Sequence, residues 1–387
     1  MTKRIIITGG GSGGHVSVAQ GIIDTLIKED PQIKDNLLYV GGKLVSESYG
    51  KGKSIEQLRF ENSDIPFIAI NGGKLQRSFS LNSIKLLFGF ILGLRDAWRI
   101  VTKFKPDIIF STGGFVSLPV CLVGNFKKIP IYLHEQTSAI GLTNQIVGKF
   151  ATKIFITFPQ SAQFFPEGKT KHTGNIVREC TFLVNEKNEI GEAIKKMLPN
   201  KSTLPIIYIS GGGQGAHFLN IIIRQMLQYL LLDYQIIHQI GDNGVNRDYD
   251  VLFAEKNKLP KGLIDRYFPV KYVNEQEIGN VFSKCDIYMG RSGANTVYEV
   301  GLHQKPSILI PIPWVTHNEQ YKNAEILVKC GIGKIVPEGT ITAEQLYQTL
   351  KAYKIEFFEG KYSGNKELLA NTFTKNAADA IVKEILN

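Results

Sequence analysis

Asp286-Ile-Tyr-Met-Gly290, Arg291-Ser-Gly-Ala294 and Asn295-Thr-Val-Tyr-Glu299-Val-Gly-Leu302 are the three consecutive pieces that decide how this chain folds. The first is a short apolar run of strand type. The second turns the chain, and the third has helical spacing, with Ser292 placed to cap it and Glu299 about two turns in. A further strand is expected over 307–310, followed by a loop that reaches Asn318, Glu319 and Gln320. A strand–turn–helix brings unpaired N–H groups and the positive end of a helix dipole to one point. That point suits a phosphate, and an acid and an amide beside it suit sugar hydroxyls. The stretch is therefore read as the cradle of a nucleotide-sugar.

Upstream, strands are expected at 206–210, 235–239 and 267–273, and the strand of the opening stretch covers 286–289. The 206–210 strand runs into Gly211-Gly-Gly-Gln-Gly-Ala-His217 and then a helical repeat of Leu219, Ile222, Ile223, Met226, Leu227 and Leu230. Near the start of the chain the same order recurs. A strand at 4–8 enters Gly9-Gly-Gly-Ser-Gly-Gly-His15, and Val16, Ala19, Ile22, Ile23 and Leu26 follow at helical spacing. The two loops share four glycines and a final histidine in register. Further strands are expected at 37–40, 65–70, 107–111, 130–134 and 153–158. Strands alternating with helices define an α/β chain with parallel sheets. The expected organisation is a domain over 1–175, a linker over 176–204, a second domain over 205–365, and a C-terminal helix over 366–387 that packs back on the first. Two related Rossmann-like domains would face a cleft, one for each of two substrates.

The first loop satisfies the spacing Gly9-x-Gly11-x-x-Gly14 of a dinucleotide fingerprint. The acid expected after the second strand is missing, since Val40 is followed by Gly41-Gly42-Lys43, which argues against a dinucleotide. His15 begins a helix. It is either a packing residue or a general base kept neutral by the helix dipole. His134-Glu-Gln-Thr137 with Gly141-Leu-Thr-Asn144 is either a ligand cluster at a strand end or a surface loop. Asp248-Tyr-Asp250 has the acid-x-acid spacing of metal-dependent transferases but reads as a solvated loop, so no metal is expected.

The 387 residues suffice for two cores, and 43% hydrophobic with 21% charged residues is ordinary for a globular chain. Four dispersed cysteines fit reduced thiols, and the N-terminus lacks signal-peptide anatomy. The longest apolar run, 86–94, falls well short of the roughly 20 residues of a spanning helix. Net charge is +10, and Lys74, Arg77, Lys85, Arg95, Arg99, Lys103 and Lys105 stand against the single acid Asp96 between 74 and 105. Because Leu, Ile, Phe and Trp interleave them, an anionic membrane surface is expected there rather than nucleic acid. A core helix with a basic outer face is the alternative.

Taken in order, these motifs resemble the MurG family of N-acetylglucosaminyltransferases. The resemblance rests on Gly9–Val16, Ser111-Thr-Gly-Gly-Phe-Val-Ser-Leu-Pro119, His134-Glu-Gln-Thr-Ser-Ala-Ile-Gly-Leu-Thr-Asn144, Thr173-Gly-Asn-Ile-Val-Arg178, Gly211–Ala216 and Arg291–Glu299, with Gln320 and Asn323-Ala324. It implies the GT-B architecture, an inverting and metal-independent transfer from UDP-N-acetylglucosamine to the C4 hydroxyl of the muramyl sugar of lipid I, and no cofactor. The enzyme would sit on the cytoplasmic face of the plasma membrane, where other cell-wall enzymes are partners to expect. By motif position, Ser12, Gly13, Gly14, Thr137 and Gly213 would contact the donor, and Arg178 its diphosphate. Ala294, Asn295, Thr296, Val297, Tyr298 and Glu299 would wrap diphosphate and ribose, and Gln320 would read the sugar. Phe115, His134 and Glu135 would face the acceptor, with His15 as the base. The chain departs from the family pattern at Thr137 (usually Asn), Gly213 (usually Ser), Phe115 (usually Tyr) and Glu319 (usually His). Two other functions fit the same motifs: a GT-B transferase acting on a different lipid acceptor, and a nucleotide-sugar-binding subunit without catalysis.

Overall fold

The computed structural model describes residues 3–43, 53–61, 63–71, 81–185, 191–197, 204–242, 244–315, 318–358 and 364–387. The chain divides into two units, Met1–Val177 with Thr374–Asn387, and Arg178–Phe373.

In the first unit, strands β1 (Ile5–Gly9), β2 (Leu37–Gly42), β3 (Phe67–Ile70), β4 (Ile108–Gly113), β5 (Ile131–Glu135), β6 (Lys153–Ile156) and β7 (Thr170–His172) form one sheet in the order β3-β2-β1-β4-β5-β6-β7. Every pairing is parallel. The continuous run Ile5-Ile6-Ile7 is fully buried because helices cover both faces of a parallel sheet, so apolar residues do not alternate with polar ones. One face packs on helix Gly13–Glu29 through Val16, Ala19, Ile22, Ile23 and Leu26, which recur every three or four residues. The final helix, Ala377–Leu386, joins this cluster through Ala377, Ile381, Val382 and Ile385. Glu384 fastens it further, with Lys153 at 2.6 Å and Lys171 at 2.7 Å.

In the second unit, β8 (Ile206–Ser210), β9 (Gln235–Gln239), β10 (Tyr267–Val270), β11 (Ile287–Gly290), β12 (Ser307–Leu309) and β13 (Gly333–Ile335) run parallel in the order β10-β9-β8-β11-β12-β13. Its helix His217–Asp233 buries Leu219, Ile222, Ile223, Met226, Leu227 and Leu230. Both sheets thus reverse their winding next to the strand that carries a glycine loop, at β1/β4 and at β8/β11. Such switch points open a crevice at the carboxyl ends of the strands.

Several expectations need correction. The single helix expected over 366–387 is two, Lys366–Thr372 and Ala377–Leu386, and the first belongs to the second unit. The stretch read as a linker carries the short helices Glu179–Phe182 and Glu192–Met197, and Asn185 is tied to Asn280. Asp248 is not in a solvated loop. It opens helix Asp248–Asn257 and binds His217 at 2.8 Å and Asn220 at 2.8 Å. Gly293, not Ser292, caps helix Ala294–Leu302, because the Ser292 hydroxyl donates to the Gln320 carbonyl at 2.8 Å. Lys74, Arg77 and the side chains of Lys85, Leu86 and Leu87 lie outside the described residues.

Candidate active site

In the second unit, two loops meet at the β8/β11 switch point, where Arg291 N–H donates to the Ser210 carbonyl at 3.1 Å. The glycine loop after β8 is pinned from beneath. Ser210 Oγ accepts from Gly212 N–H at 3.1 Å, and Gln239 Nε2 donates to the Gly212 carbonyl at 3.1 Å. Gly215 has φ +76° and lies where a side chain would strike the Ile240 carbonyl, so only glycine closes this turn. Gly213 and Gly293 have nothing within 4 Å of where a Cβ would stand, so both backbones border open space. Arg291 anchors the other loop from inside through the Ile310 carbonyl at 2.9 Å and a buried ion pair with Glu338.

Helix Ala294–Leu302 places Glu299 one face below those loops, and Arg178 Nη2 meets Glu299 Oε1 at 3.2 Å. Glu299 is buried and Arg178 more open. Burial raises the Glu299 pKa against the pull of Arg178. Burial opposes the charge on Arg178, but Glu299, Cys180 and Glu275 together more than offset it and its pKa is raised. Ala294, Val297 and Tyr298 are buried along the helix, while Asn295 and Thr296 are half-buried. Gln320 Oε1 accepts from Ile312 N–H at 3.1 Å, which directs its NH₂ group away from the backbone. The family-derived set Arg178, Gly213, Ala294–Glu299 and Gln320 is therefore gathered in one unit.

In the first unit, the loop after β1 is held to β4 by Gly10 N–H donating to the Gly113 carbonyl at 3.2 Å, and to β2 by the Tyr39 hydroxyl donating to the Gly9 carbonyl at 2.8 Å. Glu56, buried in helix Ile55–Phe60, accepts from Gly11 N–H. Phe115 covers the loop at Gly11, whose φ of +84° requires glycine. Ser12 stands just before the helix, and Gly13 borders open space. His15 occupies the helix's first turn, with Nδ1 3.0 Å from Gln136 Nε2. Burial lowers its pKa to about 4, against a hydrogen bond to the Thr112 main chain that works the other way. The shift favours a neutral ring, with desolvation rather than the helix dipole as its main cause.

The neighbours of His15 carry an unusual number of unsatisfied atoms. Thr112 Oγ1, Gln136 Oε1, Asn144 Oδ1 and His134 Nδ1 are buried with no hydrogen-bond partner among the described residues. Buried polar atoms are nearly always paired, so such a concentration marks a place where something else is bound or moved. His134 and Glu135 form the underside of this cluster and are fully or almost fully buried. Glu135 accepts from Thr137 N–H at 2.9 Å and from Asn144 Nδ2 at 2.8 Å. The Thr137 hydroxyl is committed to Glu135 and the Ala139 carbonyl. Burial lowers the His134 pKa to about 4 and raises that of Glu135. The sequence marks the block that holds Gln136 and Asn144 as a candidate ligand cluster but does not tie either residue, or Thr112, to His15. Gln136 was in plain view within the His134–Thr137 block, but its partner lies 121 residues away.

Two all-parallel units of this strand order, each with a glycine loop at its switch point, have the fold of GT-B proteins. Residues 5–156 match the glycosyltransferase family 28 N-terminal domain, and residues 206–381 match its C-terminal domain. A UDP-N-acetylglucosamine–N-acetylmuramyl-(pentapeptide) pyrophosphoryl-undecaprenol N-acetylglucosamine transferase of Bacillus thuringiensis is 34% identical over 95% of this chain and 97% of its own. A protein of the same name from Bacillus cereus is 32% identical over 98% of this chain and 100% of its own. The crystal structure of Acinetobacter baumannii MurG superposes with a TM-score of 0.69 at 21% identity, covering 99% of each chain. The UDP-GlcNAc 2-epimerase of Neisseria meningitidis, bound to UDP-GlcNAc, shares the fold with a TM-score of 0.62 at 14% identity and 99% coverage of each chain. The chain belongs to the family of UDP-N-acetylglucosamine–N-acetylmuramyl-(pentapeptide) pyrophosphoryl-undecaprenol N-acetylglucosamine transferases.

Proposed function

We propose that this chain carries out the family's transfer with the two glycine loops in different roles. N-acetylglucosamine passes from UDP-N-acetylglucosamine to the C4 hydroxyl of the muramyl sugar of lipid I, giving lipid II. The second unit holds the donor. Backbone N–H groups at Gly213 and at the start of helix Ala294–Leu302 take the diphosphate, with Arg178 beside them. Glu299 takes ribose hydroxyls through the oxygen that does not meet Arg178, and the Gln320 NH₂ group reads the sugar. As the bond from the anomeric carbon to the phosphate oxygen breaks, the electron pair leaves with UDP. Main-chain donors and Arg178 stabilise that charge.

The first unit supplies the base. His15 takes the proton of the C4 hydroxyl as that oxygen attacks the anomeric carbon from the face opposite UDP, so configuration inverts. The observation that carries this assignment is the neutral ring of His15 at the open end of the first glycine loop, with one nitrogen held by Gln136. His134, Glu135 and Thr137 shape the loop from below, and Phe115 covers its acceptor side.

The first unit also meets the membrane. Helix Leu81–Phe104 exposes Phe88 (63%), Ile91 (54%) and Trp98 (44%), and Phe126 (72%) packs against Trp98 in a tilted pair with ring centroids 5.4 Å apart. Arg95, Arg99 and Lys103 are exposed on the same helix, and Lys127 lies over the Trp98 ring at 4.4 Å. An apolar face fringed by cations fits an anionic lipid surface, on which the enzyme rests at the cytoplasmic face. No helix among the described residues is long and apolar enough to cross a membrane. Phe90 packs against the core, so the test triad is Phe88, Ile91 and Trp98, each changed to Ser. A folded triple variant should lose binding to anionic vesicles; unchanged binding would rule this face out.

Mass spectrometry of products from UDP-N-acetylglucosamine and a short-chain lipid I analogue tests the reaction. One added N-acetylhexosamine is expected. Transfer to diacylglycerol with none to the lipid I analogue would replace this reading by the other lipid acceptor.

A further inference from the structure

We infer that Gln136 is a positioning residue for His15 whose side-chain amide reverses between donating to the neutral ring and accepting from the protonated one. This rests on the reading of His15 as the base. An amide NH₂ can only donate, so Gln136 Nε2 at 3.0 Å makes Nδ1 the accepting nitrogen. The ring proton of the resting state then sits on Nε2, and the hydrogen bond to the Thr112 main chain favours the charged ring.

When the sugar hydroxyl arrives, it must compete with Gln136 for the lone pair of Nδ1. After transfer, the hydroxyl proton is on Nδ1, the new oxygen–carbon bond has formed, and the electron pair of the broken bond has gone to UDP. The imidazolium now has two N–H donors. Thr112 satisfies one. The other would face an amide NH₂ and be repelled, unless the amide turns and offers Oε1. That oxygen is buried with no partner among the described residues, an idle acceptor beside the ring that will need one. Room for the turn is also present. A Cβ at Gly14 would stand 3.1 Å from both Nε2 and Oε1 of Gln136, so the absence of that carbon frees the amide to rotate. The proton then passes to water and the amide returns.

Each other titratable group of this cluster has a partner, and only His134 Nδ1 is left without one among the described residues. His134 binds the Gly174 carbonyl, Glu135 binds Thr137 and Asn144, and Glu56 binds Gly11 N–H. Gln136 is the neutral partner that can follow the charge on His15.

The test is nitrogen-15 NMR of histidine-labelled full-length enzyme without substrates, with the His15 signal assigned by its loss in His15→Ala. The wild type should show the Nε2–H tautomer and remain neutral down to about pH 4, the value to which burial brings it. Gln136→Glu, which can only accept, should raise the His15 pKa by about 1–2 units, and the acid limb of kcat/KM should move up with it. Gln136→Leu should mix the tautomers and lower kcat about tenfold with KM little changed. Thermal melts establish that each variant is folded. An Nδ1–H tautomer in the wild type, or a Gln136→Glu titration identical to wild type, would overturn the assignment. Full turnover in His15→Ala would instead remove the base reading, and the tautomer result would separate the two failures.

Discussion

The two glycine loops begin alike and end in different chemistry. Each follows the first strand of its sheet, each opens a 17-residue helix, and each places a histidine in or at the start of that helix's first turn. His15 is half-buried, faces a neutral amide and has its pKa lowered to about 4. His217 is 49% exposed and faces the carboxylate of Asp248 at 2.8 Å. The first arrangement keeps a lone pair on a desolvated ring. The second ties down the start of a helix and leaves the backbone of Gly213 facing open space. A duplicated motif has been specialised by what lies opposite the histidine, a neutral amide in one unit and an acid in the other.

Five experiments break or sharpen that contrast. His15→Ala should lower kcat by about 10²-fold or more while donor binding measured by calorimetry stays within a few-fold. His217→Ala should leave kcat within about threefold, since an exposed pair of this kind contributes little. Equal losses in the two variants would erase the distinction between the loops. Glu299→Gln, which keeps shape but weakens acceptance of ribose hydroxyls and leaves Arg178 without its counter-charge, should raise the donor KM about tenfold. Gly213→Ser should fit without strain, because nothing lies within 4 Å of its Cβ. Its hydroxyl should tighten donor binding by about two- to fivefold, and weaker binding would mean that the loop is closed to ligand. The smallest effect concerns Glu384, whose hydrogen bonds to Lys153 and Lys171 hold its pKa down to about 2. A depressed carboxylate stabilises the fold above its ordinary value and loses that contribution as pH falls toward 2. Amide exchange over 377–386 should therefore quicken between about pH 4.5 and 2.5 relative to the rest of the first unit.

Much of the fold was legible because parallel strands buried on both faces are continuous apolar runs. The runs 5–7 and 206–209 lie where such runs predict strands, and Ile236-Ile237 forms the apolar centre of a third. Two edge strands were not legible. Thr170-Lys-His172 is polar and half-buried, and Gly333-Lys-Ile335 has three residues, too few for any period to appear. The site divides in the same way. Gly9–His15 and Arg291–Glu299 are local motifs, and the turn chemistry they need is visible in their own residues. Gln136 against His15 and Arg178 against Glu299 are each separated by 121 residues, and only the sheet order brings them together. The anchoring role of Asp248 was lost for a related reason: its partners His217 and Asn220 lie on the preceding helix.

The central claim is that one neutral imidazole primes a sugar hydroxyl for direct displacement of UDP. The anomeric configuration of the newly joined N-acetylglucosamine, read by proton NMR on product made from UDP-N-acetylglucosamine and a short-chain lipid I analogue, tests it most directly. A β linkage is predicted, inverted from the α-linked donor. An α linkage would contradict it, because retention requires a step that this arrangement of His15 does not provide.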